Sequence, residues 1–196
     1  MTKDFILASQ SPRRKQLLEW AEMSFEIIVK STDESYPDNL EIEEIPIHIA
    51  RQKAIAVKEK IQTAYHQVYA KKPILAADTV VVLDGKIIGK PTDRNNAVEI
   101  LTSLSGKTHQ VITGVVILYE DAEISFSDVT EVIFHELTLE QIEYYIDHYE
   151  PYDKAGSYAI QEWIGVIGIK SVTGDFYNVM GLPISKVIQA FQKILV

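Results

Sequence analysis

Two adjacent arginines, an aspartate set inside an apolar run and a carboxylate pair in a polar loop are the groups of this sequence best suited to chemistry. Arg13 and Arg14 lie in Leu7-Ala8-Ser9-Gln10-Ser11-Pro12-Arg13-Arg14. Ser11 is a good helix N-cap, and Pro12 suits the first helical position, where its missing N–H is not needed. A helix N-terminus attracts anions, so two guanidinium groups there favour a counter-ion. Arginine forks onto phosphate oxygens with two parallel hydrogen bonds. Two readings stand: a phosphate clamp, or a capped surface helix with solvated arginines.

Asp78 sits inside Leu75-Ala76-Ala77-Asp78-Thr79-Val80-Val81. A carboxylate there cannot be buried unpaired without a large cost. It must meet a cation, a metal or several donors, or face a cleft at a strand end. The structural alternative is an aspartate at a bulge, bonded to backbone. Such perturbed carboxylates concentrate at active sites. Glu34, beside Asp33 in Ser31-Thr32-Asp33-Glu34, gives two carboxylates able to bind Mg²⁺ through oxygen, or simply to be solvated. Lys53, Lys90 and Lys154 each read alone as surface lysines; convergence at one place would make them a basic site. The sequence has no Walker-type loop, no dinucleotide fingerprint, no nucleophile elbow and no metal-ligand spacing among its histidines.

The elements that must position these groups follow from periodicity and turn chemistry. Phe5-Ile6-Leu7-Ala8 suits a buried strand and Phe25 to Val29 a second. A polar loop runs from Lys30 to Asn39, and Glu41, Glu43 and Glu44 mark a helix start. Ile49, Ala50, Ala54, Val57, Ile61 and Ala64 recur at helical spacing. The run from Pro73 to Leu83 suits a central strand buried on both faces, and Asp84-Gly85 predicts a hairpin returning into Ile87-Ile88. A helix is expected over Asp93 to Leu104. Two long strands are expected over Thr108 to Tyr119 and Ile124 to Phe134, joined around Glu120-Asp121. Thr138-Leu139-Glu140-Gln141 matches a capping box, with Leu139, Ile142 and Ile146 as an apolar stripe. Asp153 to Asn178 reads as glycine turns with short strands. Pro183 opens a last helix carrying Ile184, Val187, Ile188, Phe191 and Leu195. The fold class is mixed α/β, with βα units early and long antiparallel strands later.

The chain has 196 residues, enough for one large domain or one with two lobes. Its 46% hydrophobic and 24% charged composition is ordinary for a globular protein. A net charge of −9 repels nucleic acid at long range, so an anion site needs its basic residues gathered locally. Cysteine is absent, which excludes disulfide and thiol chemistry and is compatible with a reducing compartment. With no signal-peptide core and no membrane-length apolar run, the expected location is cytoplasmic, away from membranes.

The motifs together resemble the Maf family, the septum-formation-inhibitor-like nucleoside triphosphate pyrophosphatases. They are Ala8-Ser9-Gln10-Ser11-Pro12-Arg13-Arg14, Ala76-Ala77-Asp78-Thr79-Val80-Val81, Gly89-Lys90-Pro91, Lys154-Ala155-Gly156-Ser157-Tyr158-Ala159-Ile160-Gln161 and Asn178-Val179-Met180-Gly181-Leu182-Pro183, in family order from residue 5 to about residue 190. The resemblance is to the branch that hydrolyses dTTP and UTP. It implies one Maf-like domain over 1–196, with an inosine-triphosphatase-like mixed sheet, flanking helices and two lobes around a cleft, usually as a homodimer. It places the catalytic aspartate on Asp78, pyrimidine selection on Arg13, Thr79 and Gln161, an acidic metal ligand on Glu34, and phosphate-binding lysines on Lys53, Lys90 and Lys154. One departure stands out: after Ile160-Gln161 this chain has Glu162-Trp163-Ile164-Gly165, where family members often carry further glycine.

The implied chemistry suits the residues. A nucleoside triphosphate carries about four negative charges, so an acidic protein needs a local basic pocket and a divalent metal. Arg13, Arg14, Lys53 and Lys90 would neutralise phosphates. Mg²⁺ or Mn²⁺ on Asp78 and Glu34 would acidify a water for attack on the α-phosphorus; in the alternative role Asp78 would accept the proton directly, though a metal-bound carboxylate is a poor base. The Gln161 amide offers one donor and one acceptor to a uracil or thymine imide edge; turned over, it would fit cytosine. Two rival readings are a pyrophosphatase for a modified purine triphosphate such as 7-methyl-GTP, and a nucleotide-binding regulator of septum formation with little turnover.

Overall fold

The computed structural model describes residues 4–194, and of residues 65–67 the backbone. Strands β1 (Phe5–Leu7), β2 (Phe25–Ile27), β3 (Ile74–Leu83), β4 (Lys86–Ile88), β5 (Thr108–Tyr119), β6 (Ala122–Phe134) and β7 (Ile169–Thr173) form one seven-stranded sheet. Its order is β2-β1-β3-β5-β6-β7, with β4 on β3. β1 pairs in parallel with β2 and β3, while β3–β4 and β6–β7 are antiparallel, so the sheet is mixed. Helices are α1 (Pro12–Trp20), α2 (Ile45–Lys60), α3 (His66–Tyr69), α4 (Arg94–Leu104), α5 (Leu139–Tyr149), α6 (Trp163–Gly168), α7 (Phe176–Met180) and α8 (Ile184–Ile194). Among the described residues no helix is long and apolar enough to cross a membrane. The chain divides into two compact units: residues up to Asp78 with Thr113–Asp128 and Gly181 onward, and Thr79–Ile112 with Val129–Met180.

In the first unit, alternate strand residues serve opposite faces of the sheet. Ile6, Ala8, Ile74, Ala76, Val116 and Leu118 pack against Ala50, Ala54 and Val57 of α2 and Ile61 just beyond its end. Phe5, one residue out of step with Ile6, meets Phe25 at 5.7 Å between ring centres and Phe191 of α8 at 4.7 Å. Ser11 caps α1 as expected, its hydroxyl accepting from the Arg14 backbone N–H at 3.4 Å. β2 ends at Ile27, short of the expected Val29. α2 gives way to a π-helical turn over Ile61–Tyr65, and Ala64, expected on the apolar stripe, is exposed. A π turn advances the face by less per residue than an α-helix, so the stripe leaves register there.

In the second unit the Asp84-Gly85 hairpin forms as expected. Both residues have positive φ, 51° and 74°, and Leu83 pairs with Lys86. Asp93 caps α4 by accepting from Asn96 N–H at 2.9 Å. Thr138 and Gln141 form the reciprocal capping box of α5. Two expectations are corrected. Leu139 is 58% exposed rather than part of the α5 stripe; Tyr145 joins Ile142 and Ile146 inside. The stretch after Asp153 is more helical than its glycines suggest, with α6 and α7 on either side of β7. Asp175 explains α7, since its Oδ1 accepts from the backbone N–H groups of Tyr177 and Asn178 at 2.7 and 3.4 Å. The expected last helix is present; Leu195 lies outside the described residues.

Candidate active site

β3 is buried along its length except at Asp78 and Thr79, which are partly exposed. The break in the apolar run is where the sequence placed the carboxylate, mid-strand rather than at a strand end. Asp78 is met by a cation from α2: Lys53 Nζ donates to Asp78 Oδ1 at 2.6 Å. The same ammonium lies 2.7 Å from Glu34 Oε1. Lys53 stands three residues from Ala50 and one from Ala54, at the margin of the helix face that packs on the sheet, so α2 docking fixes where its side chain starts. Glu34 comes from the loop after β2. Its neighbour Asp33 is used locally, its carboxylate accepting from Ser35 N–H and Oγ at 3.1 and 3.0 Å. The two loop carboxylates are therefore not a pair; one folds the loop and the other reaches the Lys53–Asp78 centre.

Arg14 is not a solvated surface arginine. It is 9% exposed, its Nε donates to the Gly181 carbonyl at 2.8 Å, and its Nη1 donates to Ser9 Oγ at 3.2 Å. Burial lowers its pKa from the usual guanidinium value, opposed by the charge of Asp78; neighbouring Arg13 lowers it further and Glu34 opposes. These couplings place Arg14 within the electrostatic reach of the acidic pair. Arg13 is half-buried at the same helix start. Ser9, two residues before the α1 cap, is 8% exposed and also accepts from Ser11 N–H at 3.2 Å. Its signal in the sequence was its place between a strand end and a helix cap, where a hydroxyl is needed to satisfy orphan donors.

The second unit holds the other candidates. Thr79 follows Asp78 on β3. Lys90 is exposed and makes no ion pair among the described residues. Its turn is tied to the Lys154 segment by the Gly156 N–H donating to the Gly89 carbonyl at 3.1 Å. Gly156 has φ +71°, and an added Cβ would lie 3.0 Å from Val81 Cγ2, so glycine is required there. Lys154 is buried, with Nζ 2.7 Å from Asp153 Oδ1 and 3.7 Å from Glu162 Oε1. Gln161 is exposed in the turn before α6. Beneath that segment His109 Nε2 and the Tyr158 hydroxyl lie 2.7 Å apart; burial pushes the imidazole down to about 4 and raises the phenol.

The unit carrying Asp78 thus gathers two carboxylates on one lysine ammonium, with a buried arginine in their field. Among the described residues no group of three or more His, Cys, Asp and Glu side chains is placed to hold a metal. Two carboxylates beside basic groups instead suit an ion that takes its remaining oxygens from water and from a phosphorylated substrate.

Known proteins match along nearly the whole chain. It is 48% identical over 190 residues to a protein of Cytophaga hutchinsonii named dTTP/UTP pyrophosphatase, covering 97% of this chain and 84% of that one. It is 48% identical over 190 residues to a protein of the same name from Phocaeicola vulgatus, covering 96% and 95%. A third such protein, from Porphyromonas gingivalis, is 48% identical over 180 residues, covering 91% and 88%. The family described as Maf-like protein matches residues 4–194, which takes in Asp78 and every other residue described above, and the chain belongs to that family.

Proposed function

We propose that this protein hydrolyses dTTP and UTP to the monophosphate and pyrophosphate. The observation that carries the proposal is the convergence of Asp78 and Glu34 on Lys53 at 2.6 and 2.7 Å; the names of the relatives supply the substrates. Both carboxylates already reach one cation, so the residues fit a divalent ion, and Asp78 and Glu34 would hold it. Mg²⁺ commonly binds through one or two carboxylates, several waters and substrate phosphates. Such an ion, when bound, offsets phosphate charge and lowers the pKa of a coordinated water.

The protein's own groups do the rest. Asp78 orients the attacking water and draws its proton as the new oxygen–α-phosphorus bond forms and the bond to the bridging oxygen of pyrophosphate breaks. Lys53 holds Asp78 and Glu34 in place and, with Arg13, Arg14 and Lys90, offsets the charge of the triphosphate. Lys154 joins this basic set. Arg13, Thr79 and Gln161 choose the base, the Gln161 amide presenting one donor and one acceptor to an imide edge. One family match running through both units supports a single domain. A cytoplasmic homodimer is the setting that the family resemblance suggests.

Two experiments test the reaction. Turnover of UTP should vanish in excess EDTA and return with Mg²⁺ or Mn²⁺; full turnover in EDTA would refute metal assistance. With ¹⁸O-water the label should appear on UMP and not on pyrophosphate. Label on released orthophosphate, with none on the nucleotide, would rule out attack at the α-phosphorus.

A further inference from the structure

The departure Glu162-Trp163-Ile164-Gly165 becomes intelligible in the structure. The Tyr145 hydroxyl, on the fully buried side of α5, meets both ends of the four-residue turn Ala159–Glu162. It accepts from the Ala159 N–H at 3.2 Å and donates to Glu162 Oε2. The turn is closed by the Glu162 N–H donating to the Ala159 carbonyl at 3.0 Å. Glu162 also faces Lys154, its Oε1 3.7 Å from Nζ. Gly165 completes the arrangement: an added Cβ would lie 1.8 Å from the Ile160 carbonyl oxygen, so the backbone of α6 presses directly on the turn. Gln161 is the turn residue between Ile160 and Glu162. A tyrosine hydroxyl that satisfies a backbone donor at one end and a carboxylate at the other is a clamp, and the rigidity of this turn, in which Gln161 alone is exposed, depends on a group buried beneath it.

We propose that Tyr145 and Glu162 are positioning residues for base selection, clamping the turn that carries Gln161. This rests on the reading that Gln161 contacts the base. Neither residue touches the reacting atoms; they act by fixing where the Gln161 backbone sits.

The test uses Tyr145→Phe and Glu162→Gln with Gln161→Ala beside them. Tyr145→Phe keeps the ring and removes both hydrogen bonds. Glu162→Gln keeps an acceptor for Tyr145 and removes the charge facing Lys154, so it retains part of the clamp and is the variant to use if Tyr145→Phe does not fold. Two readouts are taken on folded protein: amide hydrogen exchange over residues 159–162, and the ratio of kcat/KM for UTP to that for GTP. In Tyr145→Phe the exchange of this turn should quicken and the UTP:GTP ratio should fall about tenfold, the size of effect expected when one hydrogen bond from Gln161 to the base is lost. Glu162→Gln should show both effects to a smaller degree. A merely structural loss would lower turnover of both nucleotides together and leave the ratio unchanged. Unchanged exchange across the turn in folded Tyr145→Phe overturns the clamp. Quickened exchange with an unchanged ratio overturns its role in selection, and Gln161→Ala then tells why. If that variant alters the ratio, the clamp is not what positions Gln161; if it too leaves the ratio unchanged, the base reading has failed.

Discussion

Asp78→Asn is expected to lower UTP and dTTP turnover on the order of 10²-fold or more while leaving the protein folded. Asparagine keeps the size and shape of the side chain, so β3 and its buried neighbours are undisturbed. It removes the charge that meets Lys53 Nζ at 2.6 Å and the carboxylate oxygen proposed to draw a proton from water. Lys53 keeps Glu34 at 2.7 Å, so the half-buried ammonium is not left unpaired. That limits the loss of stability to about 1–3 kcal/mol. kcat and kcat/KM should fall together, because the lost interaction belongs to the transition state more than to substrate binding. The check is steady-state pyrophosphate release alongside a thermal melt. Activity within about threefold of the wild type, in a folded protein, would remove Asp78 from the mechanism.

Local chemistry was readable from the sequence because it needs only neighbours. Asp84-Gly85 demands positive φ at two successive positions, Ser11 supplies a cap, and Thr138 and Gln141 satisfy each other across one turn. What bound Asp78 was not readable. The sequence required some partner for a carboxylate in an apolar strand, yet Lys53 is 25 positions away and reaches Asp78 only because α2 docks its alanine face on the sheet. Spacing could not separate Asp33 from Glu34 either; the Ser35 hydrogen bonds do. α6 was missed because Trp163–Gly168 contains two glycines and has poor intrinsic helix propensity. Its Gly165 is there for close approach to the Ile160 carbonyl, a tertiary reason that outweighs propensity. Leu139 misled in the opposite way: it has the right spacing for the α5 stripe but sits at the first helical position and is 58% exposed, while Tyr145 shares the buried face with Ile142 and Ile146.

Gly114→Ala should be the most damaging small substitution in the first unit. Gly114 lies on β5, and a Cβ built there would sit 2.2 Å from the Ile47 backbone nitrogen and 2.3 Å from the Pro46 carbonyl carbon. Both atoms belong to the first turn of α2, so no side-chain rotation relieves the clash; the helix itself must move. Displacing it separates Ala50 and Ala54 from the sheet residues they cover, exchanging close packing for voids. Overpacking of this kind costs typically 1–3 kcal/mol and occasionally more. With backbone on the receiving side, the upper end, about 3 kcal/mol, is expected, which lowers Tm by roughly 6–12 °C in a chain of this size. The activity consequence follows from the same geometry. Lys53 is two turns along that helix, and its reach to Asp78 and Glu34 is set by where α2 lies. At a temperature where Gly114→Ala remains folded, UTP turnover should still be reduced, by about tenfold or more, because a shift on the order of 1 Å misaligns the charged centre. Thermal melts paired with kcat/KM at low temperature measure both effects. A variant that melts within about 2 °C of the wild type would show that the close approach of β5 to α2 is not what sets the helix position.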